Sequence, residues 1–99
     1  MDEIRYRESR LCRLLGNPVV YLILTLLAKN GPLTPARLGA LSERSVQTIS
    51  GHFATLRTAD VVRYKTRGRQ TRYWLKHPKD VEGLLRALEK VVRTSTGLD

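Results

Sequence analysis

Between residues 45 and 55 the chain carries short, uncharged polar side chains whose hydrogen-bonding groups suit the edges of nucleic-acid bases. A glutamine amide can bond adenine through two hydrogen bonds, and hydroxyl groups can bond bases or phosphates or touch a thymine methyl. A glycine at the centre of this set would let the backbone approach a partner closely, although a tolerated surface glycine is the alternative. We therefore predict nucleic-acid contacts from Ser45, Gln47, Thr48, Ser50, Gly51, His52 and Thr55.

Positive charge is concentrated directly around and after this segment. The chain has 18 Lys and Arg against 9 Asp and Glu, and nine of the cations lie between Arg44 and Lys79 with a single anion, Asp60. A polyanion partner explains such segregation, because each neutralised phosphate releases counterions. A merely basic, solvated surface is the alternative. The residues that we expect to meet phosphates or an adjacent minor groove are Arg67, Arg69, Gln70 and Arg72.

Caps and periodicity predict the elements that position these residues. Asn17-Pro18 and Thr34-Pro35 each combine an N-cap with proline at the first helical position, and Ser45 caps a longer helix. After Asp60 the apolar period changes from helical to two, which predicts a hairpin with Gly68 at its tip. The predicted elements are helices over 3–15, 18–29, a short one from 35, 46–59 and 79–92, and a hairpin over 61–76.

The same pattern predicts which side chains form the core. The second helix is apolar almost all round and should be the central element. Leu38 and Leu41 of the short helix should point inward. The inward face of the longer helix should comprise Val46, Ile49, Phe53 and Leu56, and Tyr64, Tyr73 and Trp74 are more typical of packing than of base stacking.

A short helix followed through a turn by a capped helix is a helix-turn-helix, and the hairpin after it forms a wing. A helix of about 14 residues is roughly 21 Å long and fits a B-DNA major groove. The predicted fold class is mainly α with a small β-hairpin: one winged helix-turn-helix domain over 1–99. The helix-turn-helix occupies 34–59, the wing 61–76 and a frayed polar tail 94–99.

Three motifs resemble the arsenic-repressor-type (ArsR/SmtB) regulators. The stretch 15–24, LGNPVVYLIL, looks like the family's LGDPTRLRIL; 50–62 resembles SRHLKVLREAGLV; and 67–75 resembles the wing motif EGRWVYYRL. The resemblance implies a homodimeric repressor that binds double-stranded DNA at an inverted-repeat operator. It implies pairing through the first and last helices, 1–15 and 78–93. The apolar residues of these helices predict the interface, with core packing as the alternative for the last helix: Ile4, Leu11, Leu15, Val81, Leu84, Leu85, Leu88 and Val92.

The chain departs from the family pattern at several positions. Glu43 and Asp60 replace two glycines, and Gly51 replaces a basic residue. The family's thiol-rich start of the third helix is here Leu33 to Arg37 without cysteine, and the last helix has no His or Cys. We therefore expect no metal site and no cofactor, and a small-molecule or redox effector stays open. No catalytic set is recognisable, so we expect a binding protein and not an enzyme.

Composition limits location and partners. The longest apolar run spans only ten residues, 19–28, where a membrane span needs about 20, and the charged N-terminus does not resemble a signal peptide. With one cysteine, Cys12, a cytoplasmic protein is expected. Cys12 itself should be a small buried or half-buried residue, with an intersubunit redox bridge as the alternative. Two other functions stay open: a winged-helix module that docks an acidic protein, and an architectural DNA binder without sequence preference.

Overall fold

Five helices and a two-stranded antiparallel hairpin make up the computed structural model, which describes residues 2–97. The order of elements agrees with the sequence prediction. Their bounds are α1 Glu3–Leu15, α2 Pro18–Asn30, α3 Pro35–Ser42, α4 Val46–Thr58, β1 Val62–Arg67, β2 Gln70–Leu75 and α5 Pro78–Thr96.

The predicted helix starts are confirmed by their caps. Asn17 accepts a hydrogen bond from the backbone N–H of Val19 at 2.9 Å, and Pro18 follows it as the first helical residue. At the starts of α3 and α4, Thr34 accepts from the backbone N–H of Arg37 and Ser45 from that of Thr48, each at 3.1 Å. Each cap satisfies a backbone donor that the helix itself leaves free, so the chain enters α2, α3 and α4 at fixed residues.

α2 lies at the centre of the core, as its composition predicts. Its four buried side chains pack against α3, α4 and the inner face of the hairpin. Leu33, between α2 and α3, adds a bridge to the hairpin through paired 2.9 Å hydrogen bonds with Tyr73. The buried apolar residues are Val20, Ile23, Leu24, Leu27, Leu38, Ile49, Phe53, Leu56, Val62, Tyr73 and Leu75.

Two of the predicted core positions are wrong. Leu41 is 40% exposed and Val46 is 46% exposed. In α3 the buried residues are Leu38, Gly39 and Ser42, so the inward face is centred about a quarter turn away from Leu41. Ser42 replaces Leu41 in the interior and satisfies its hydroxyl by donating to the carbonyl of Leu38 at 2.6 Å. Val46 is the first residue of α4 and lies at the edge of the core.

The last helix is longer than predicted. α5 extends to Thr96 and ends at Gly97, whose φ of 70° is left-handed. The prediction of a frayed tail is therefore wrong for residues 94–96, and residues 98–99 lie outside the described part. Glu89 accepts from Arg93 at 2.9 Å, and the Thr96 hydroxyl donates to the carbonyl of Val92 at 2.6 Å. The ion pair of Glu89 with Arg93 supports the helix near the point where the apolar period ends.

Within residues 2–97 no single helix is long and apolar enough to cross a membrane. α1 and α2 meet the length and composition of a span only when taken together, and a bend of 97° separates them.

Candidate nucleic-acid interface

The turn between α3 and α4 is tight because a glycine faces it. A Cβ on Gly39 would lie 2.8 Å from the carbonyl oxygen of Arg44, so no larger residue fits without movement. Arg44 donates its backbone N–H to the carbonyl of Gly39 at 3.0 Å, and Glu43 takes a left-handed conformation with φ of 57°. Glu43 thus adopts the geometry that a glycine provides in the resembled family. The close approach fixes the direction in which α4 leaves the turn.

The face of α4 opposite the core is exposed and carries the predicted contact residues. Gln47, Ser50 and Gly51 are exposed, and no hydrogen bond within residues 2–97 occupies the side chain of Gln47 or Ser50. The hydroxyls of Ser45 and Thr48 bond each other at 2.9 Å, so both are partly engaged at the helix start. Gln47 and Ser50 therefore present unengaged donors and acceptors to the outside.

Gly51 lies at the middle of this exposed face. A Cβ built there would have no other atom within 4 Å. Packing within residues 2–97 therefore does not require a glycine at this position. A glycine inside a helix nevertheless lowers the stability of the helix by about 1 kcal/mol relative to alanine. Close approach of an external partner to the backbone would account for a glycine here.

His52 and Thr55 differ in burial. His52 is half-buried, as expected for a residue between the core and the outer face. Thr55 is exposed, and its hydroxyl donates to the carbonyl of Gly51 at 3.4 Å. Thr55 also lines a groove of about 900 Å³ between α1, α5 and the end of α4. The structure thus exposes Gln47, Ser50, Gly51 and Thr55 on α4, and Thr55 also lines this groove.

The hairpin has a two-residue tip and two different faces. Gly68, with φ of 64°, and Arg69 connect β1 to β2. The register pairs Tyr64 with Tyr73 on the face toward the core and Lys65 with Arg72 on the other face. Arg67, Arg69, Gln70 and Arg72 are all exposed, as the sequence predicts for a wing.

Charge on the wing is not balanced within the described residues. Lys65 and Arg72 are directly opposite each other, and like charges at paired positions destabilise a hairpin. The one nearby carboxylate, Asp60, accepts a 2.6 Å hydrogen bond from Lys76. This bond and the Lys76 charge hold the pKa of Asp60 below its ordinary value. Apart from Lys76, the wing cations have no carboxylate in ion-pair range between residues 2 and 97, so their charge is left for an external anion.

Three aromatic side chains and a cation connect α4 to the wing. Phe53 and Tyr73 stack with ring centroids 3.8 Å apart, and Tyr64 lies 5.7 Å from Tyr73. The guanidinium carbon of Arg57 lies 4.6 Å from the centroid of the Tyr64 ring. Tyr73 is buried and confirms the packing prediction, whereas Tyr64 is 49% exposed. Trp74 is half-buried.

Arg57 is a candidate contact residue that the sequence prediction missed. Two features of the sequence could have indicated it. Arg57 is the one charged residue of α4, and it follows Ser50 by two helical turns.

The predicted dimer residues form apolar faces that a single chain leaves open. α1 and α5 have no buried residue. Ile4 and Val92 are 65% and 53% exposed. The other predicted interface residues are half-buried: Leu11, Leu15, Val81, Leu84, Leu85 and Leu88.

The metal-ligating residue types are scattered. Over residues 2–97, no three His, Cys, Asp or Glu side chains lie where they could hold one ion. Cys12 is exposed, so the expectation of a buried or half-buried thiol is wrong for the single chain. His77 precedes α5 as its N-cap without a side-chain hydrogen bond to the helix.

A short helix, a glycine-tightened turn, a helix with an exposed polar face and a cationic hairpin define a winged helix-turn-helix domain. The predicted fold class is therefore confirmed. Solved structures share this fold across nearly the whole chain. Rv0081 from M. tuberculosis matches with a TM-score of 0.84 and 21% identity, covering 98% of this chain and 96% of its own.

Two further solved structures are informative. One is a fragment of Mb0332 from Mycobacterium bovis, described as the homodimeric winged helix-turn-helix DNA-binding domain of a possible ArsR-family transcriptional regulator. It matches with a TM-score of 0.80 and 20% identity, covering 94% of this chain and 84% of its own. The antimony-specific transcriptional repressor AntR matches with a TM-score of 0.75 and 22% identity, covering 94% and 90%. The resemblance to ArsR-type regulators is thus confirmed at the level of the fold. No protein-family model and no curated protein sequence matches the chain.

Proposed function

We propose that the protein is a sequence-specific, double-stranded DNA-binding transcriptional regulator of the ArsR type, acting in the cytoplasm as a homodimeric repressor. The observation that carries this proposal is the pairing of two surfaces. One is the exposed, uncharged polar face of α4; the other is a wing whose cations, apart from Lys76, have no carboxylate partner within the described residues. The first suits base edges and the second suits phosphates. The fold positions a binding surface, and we propose no catalytic role for it.

The dimensions of α4 fit this role. Its 13 residues span about 20 Å, and the major groove is about 12 Å wide. In the proposed complex Gln47 reads adenine, and the hydroxyls of Thr48, Ser50 and Thr55 bond bases or phosphates. Gly51 lets the helix backbone lie close to the DNA, and Ser45 and His52 contact the phosphates beside it.

The wing supplies most of the affinity in this proposal. A phosphate near Lys65 and Arg72 relieves the repulsion that their pairing creates in the free protein. Arg67, Arg69 and Gln70 at the tip reach the adjacent backbone or minor groove. Because these contacts replace condensed counterions, binding should weaken strongly with salt.

The dimer forms through α1 and α5. The exposed apolar residues on these helices form a surface that a second copy can cover, and the similar Mb0332 fragment is described as homodimeric. A two-fold dimer presents two copies of α4, so its operator is an inverted repeat with half-sites about one helical turn apart or a multiple of it. Repression follows when the bound dimer occludes a promoter.

Selection of bound duplexes from a random pool tests the proposed function. We expect a two-fold symmetric consensus that resists competition by non-specific DNA. Equal binding to consensus and random duplex would instead indicate an architectural DNA binder. Absence of duplex binding at moderate salt would indicate a module that docks an acidic protein.

Sedimentation of wild type and of Leu84→Glu tests the dimer separately. We expect the charged variant to be a folded monomer, because the substitution places a carboxylate in the proposed apolar interface. Arg86→Glu, an exposed charge change on the same helix, should leave the dimer intact. A monomeric wild type would contradict the proposed interface.

A further inference from the structure

Arg57 lies at the joint between α4 and the wing, with its guanidinium over the ring of Tyr64. The distance from the guanidinium carbon to the ring centroid is 4.6 Å, which is within the range of cation–π attraction. Tyr64 is held in turn against Tyr73, and Tyr73 stacks on Phe53 of α4. This series of rings links the guanidinium to the buried core.

The position of Arg57 relates it to the proposed DNA-contacting face. Arg57 follows Ser50 by seven residues and therefore lies on the same side of α4, two turns closer to the wing. It is exposed, and no carboxylate between residues 2 and 97 lies in ion-pair range of it. The Tyr64 ring lies against the guanidinium, and no hydrogen bond within residues 2–97 occupies its N–H donors.

Resting on the DNA-binding function proposed above, we infer that Arg57 contacts a backbone phosphate at the joint between α4 and β1. Tyr64 is the positioning residue that holds the guanidinium there. A long side chain loses rotamer freedom on binding, and a guanidinium held against a ring has already lost part of it. The planar group can then donate two N–H bonds to one phosphate. The contact would fix α4 and the wing on the same stretch of backbone.

Salt titration of Arg57→Ala against a bound duplex tests the phosphate contact. Each lost phosphate contact reduces the slope of log K against log salt by about 0.9. The affinity ratio of wild type to variant should therefore shrink about eightfold over a tenfold rise in salt. Arg13→Ala is the matched control, because it removes the same charge from an exposed position on α1. An Arg57→Ala slope equal to that of wild type would overturn the contact.

Variants of Tyr64 test the positioning role. Tyr64→Phe keeps a ring face and should bind DNA as wild type does. Tyr64→Leu removes it and should weaken binding about two- to fivefold, as expected for loss of an exposed cation–π contact. Combined with Arg57→Ala, Tyr64→Leu should cause no further loss. An equal loss with and without Arg57 would overturn the positioning role and show that Tyr64 acts through the fold of the wing.

Thermal unfolding of each variant separates these effects from loss of structure, since a folded variant shows a cooperative transition above the temperature of the binding assay. The two proposals fail in different ways. If wild type binds no duplex, the proposed function itself is wrong. If wild type binds with the expected salt dependence and Arg57→Ala keeps the full slope, only the assignment of Arg57 is wrong.

Discussion

Gly51→Ala should raise the stability of the protein and lower its affinity for DNA. The structure separates the two effects because a Cβ at this position meets no atom within 4 Å. The substitution therefore creates no clash in the free protein. In the proposed complex the same methyl group projects from the centre of the α4 face into the groove.

The effect on stability follows from helix propensity. Alanine in a helix interior is favoured over glycine by about 0.5–1 kcal/mol, because glycine loses more backbone freedom on folding. In a domain of up to about 100 residues, 1 kcal/mol shifts the melting temperature by roughly 4–8 °C. We expect an upward shift of about 2–8 °C by calorimetry, since the lower end of the propensity range gives about half the shift.

The effect on binding has the opposite sign. Forcing an extra methyl group into a close-packed contact typically costs about 1–3 kcal/mol, which corresponds to a roughly 5- to 150-fold loss of affinity. Fluorescence anisotropy with a selected duplex measures it. Gly83→Ala in α5 is the control: a Cβ there is also free of neighbours, so stability should rise without loss of DNA affinity. Undiminished binding by folded Gly51→Ala would refute the close approach of α4 to DNA.

Four further outcomes are expected. Arg69→Ala should weaken binding to all sequences alike and reduce the salt slope by about 1 unit, as salt titrations on two unrelated duplexes can check. Gln47→Ala should mainly relax base preference at one position per half-site, which repeated selection would reveal. Glu43→Gly should stabilise the fold by about 0.5–1 kcal/mol in urea unfolding, because φ at this residue is 57°. Asp60 has a lowered pKa in the folded state, so its pair with Lys76 stabilises the protein above the ordinary pKa of 3.8 and loses effect as the pH falls further. Lys76→Met should weaken this acid-side dependence in urea unfolding at several pH values, and the charges of Arg63 and His77 should leave the remainder.

The helix starts were predictable because their signals are local. Asn17, Thr34 and Ser45 each satisfy a backbone donor within three residues, so sequence neighbours alone determine the geometry. The two left-handed, non-glycine residues were also predictable. Glu43 and Asp60 occupy the glycine positions of the resembled motif, and both have positive φ. A motif constrains the backbone even where the residue differs from the preferred one.

The features that the sequence did not predict depend on contacts between helices and strands. Leu41 is apolar, as a core residue should be. The close approach of Gly39 to the backbone of Arg44, however, turns the buried face of α3 away from it. The meeting of Arg57 with Tyr64 depends on the angle between α4 and the hairpin, which tertiary packing sets. Of the predicted contacts, Gln47 and Ser50 share an exposed face, whereas the placement of Thr55 at the groove required the positions of α1 and α5.

Under the proposed function, the distribution of charge would let one small domain separate affinity from specificity. A cationic side chain at the centre of α4 would attract phosphate in any sequence and add affinity without discrimination. Here Arg57 is the only Lys or Arg of α4 and lies in its last turn beside the wing. The centre of the helix carries amide, hydroxyl and glycine, whose contacts depend on base identity and close fit. Because the two kinds of contact reside on different elements, a substitution on the wing should alter salt dependence, and one at the centre of α4 should alter sequence preference.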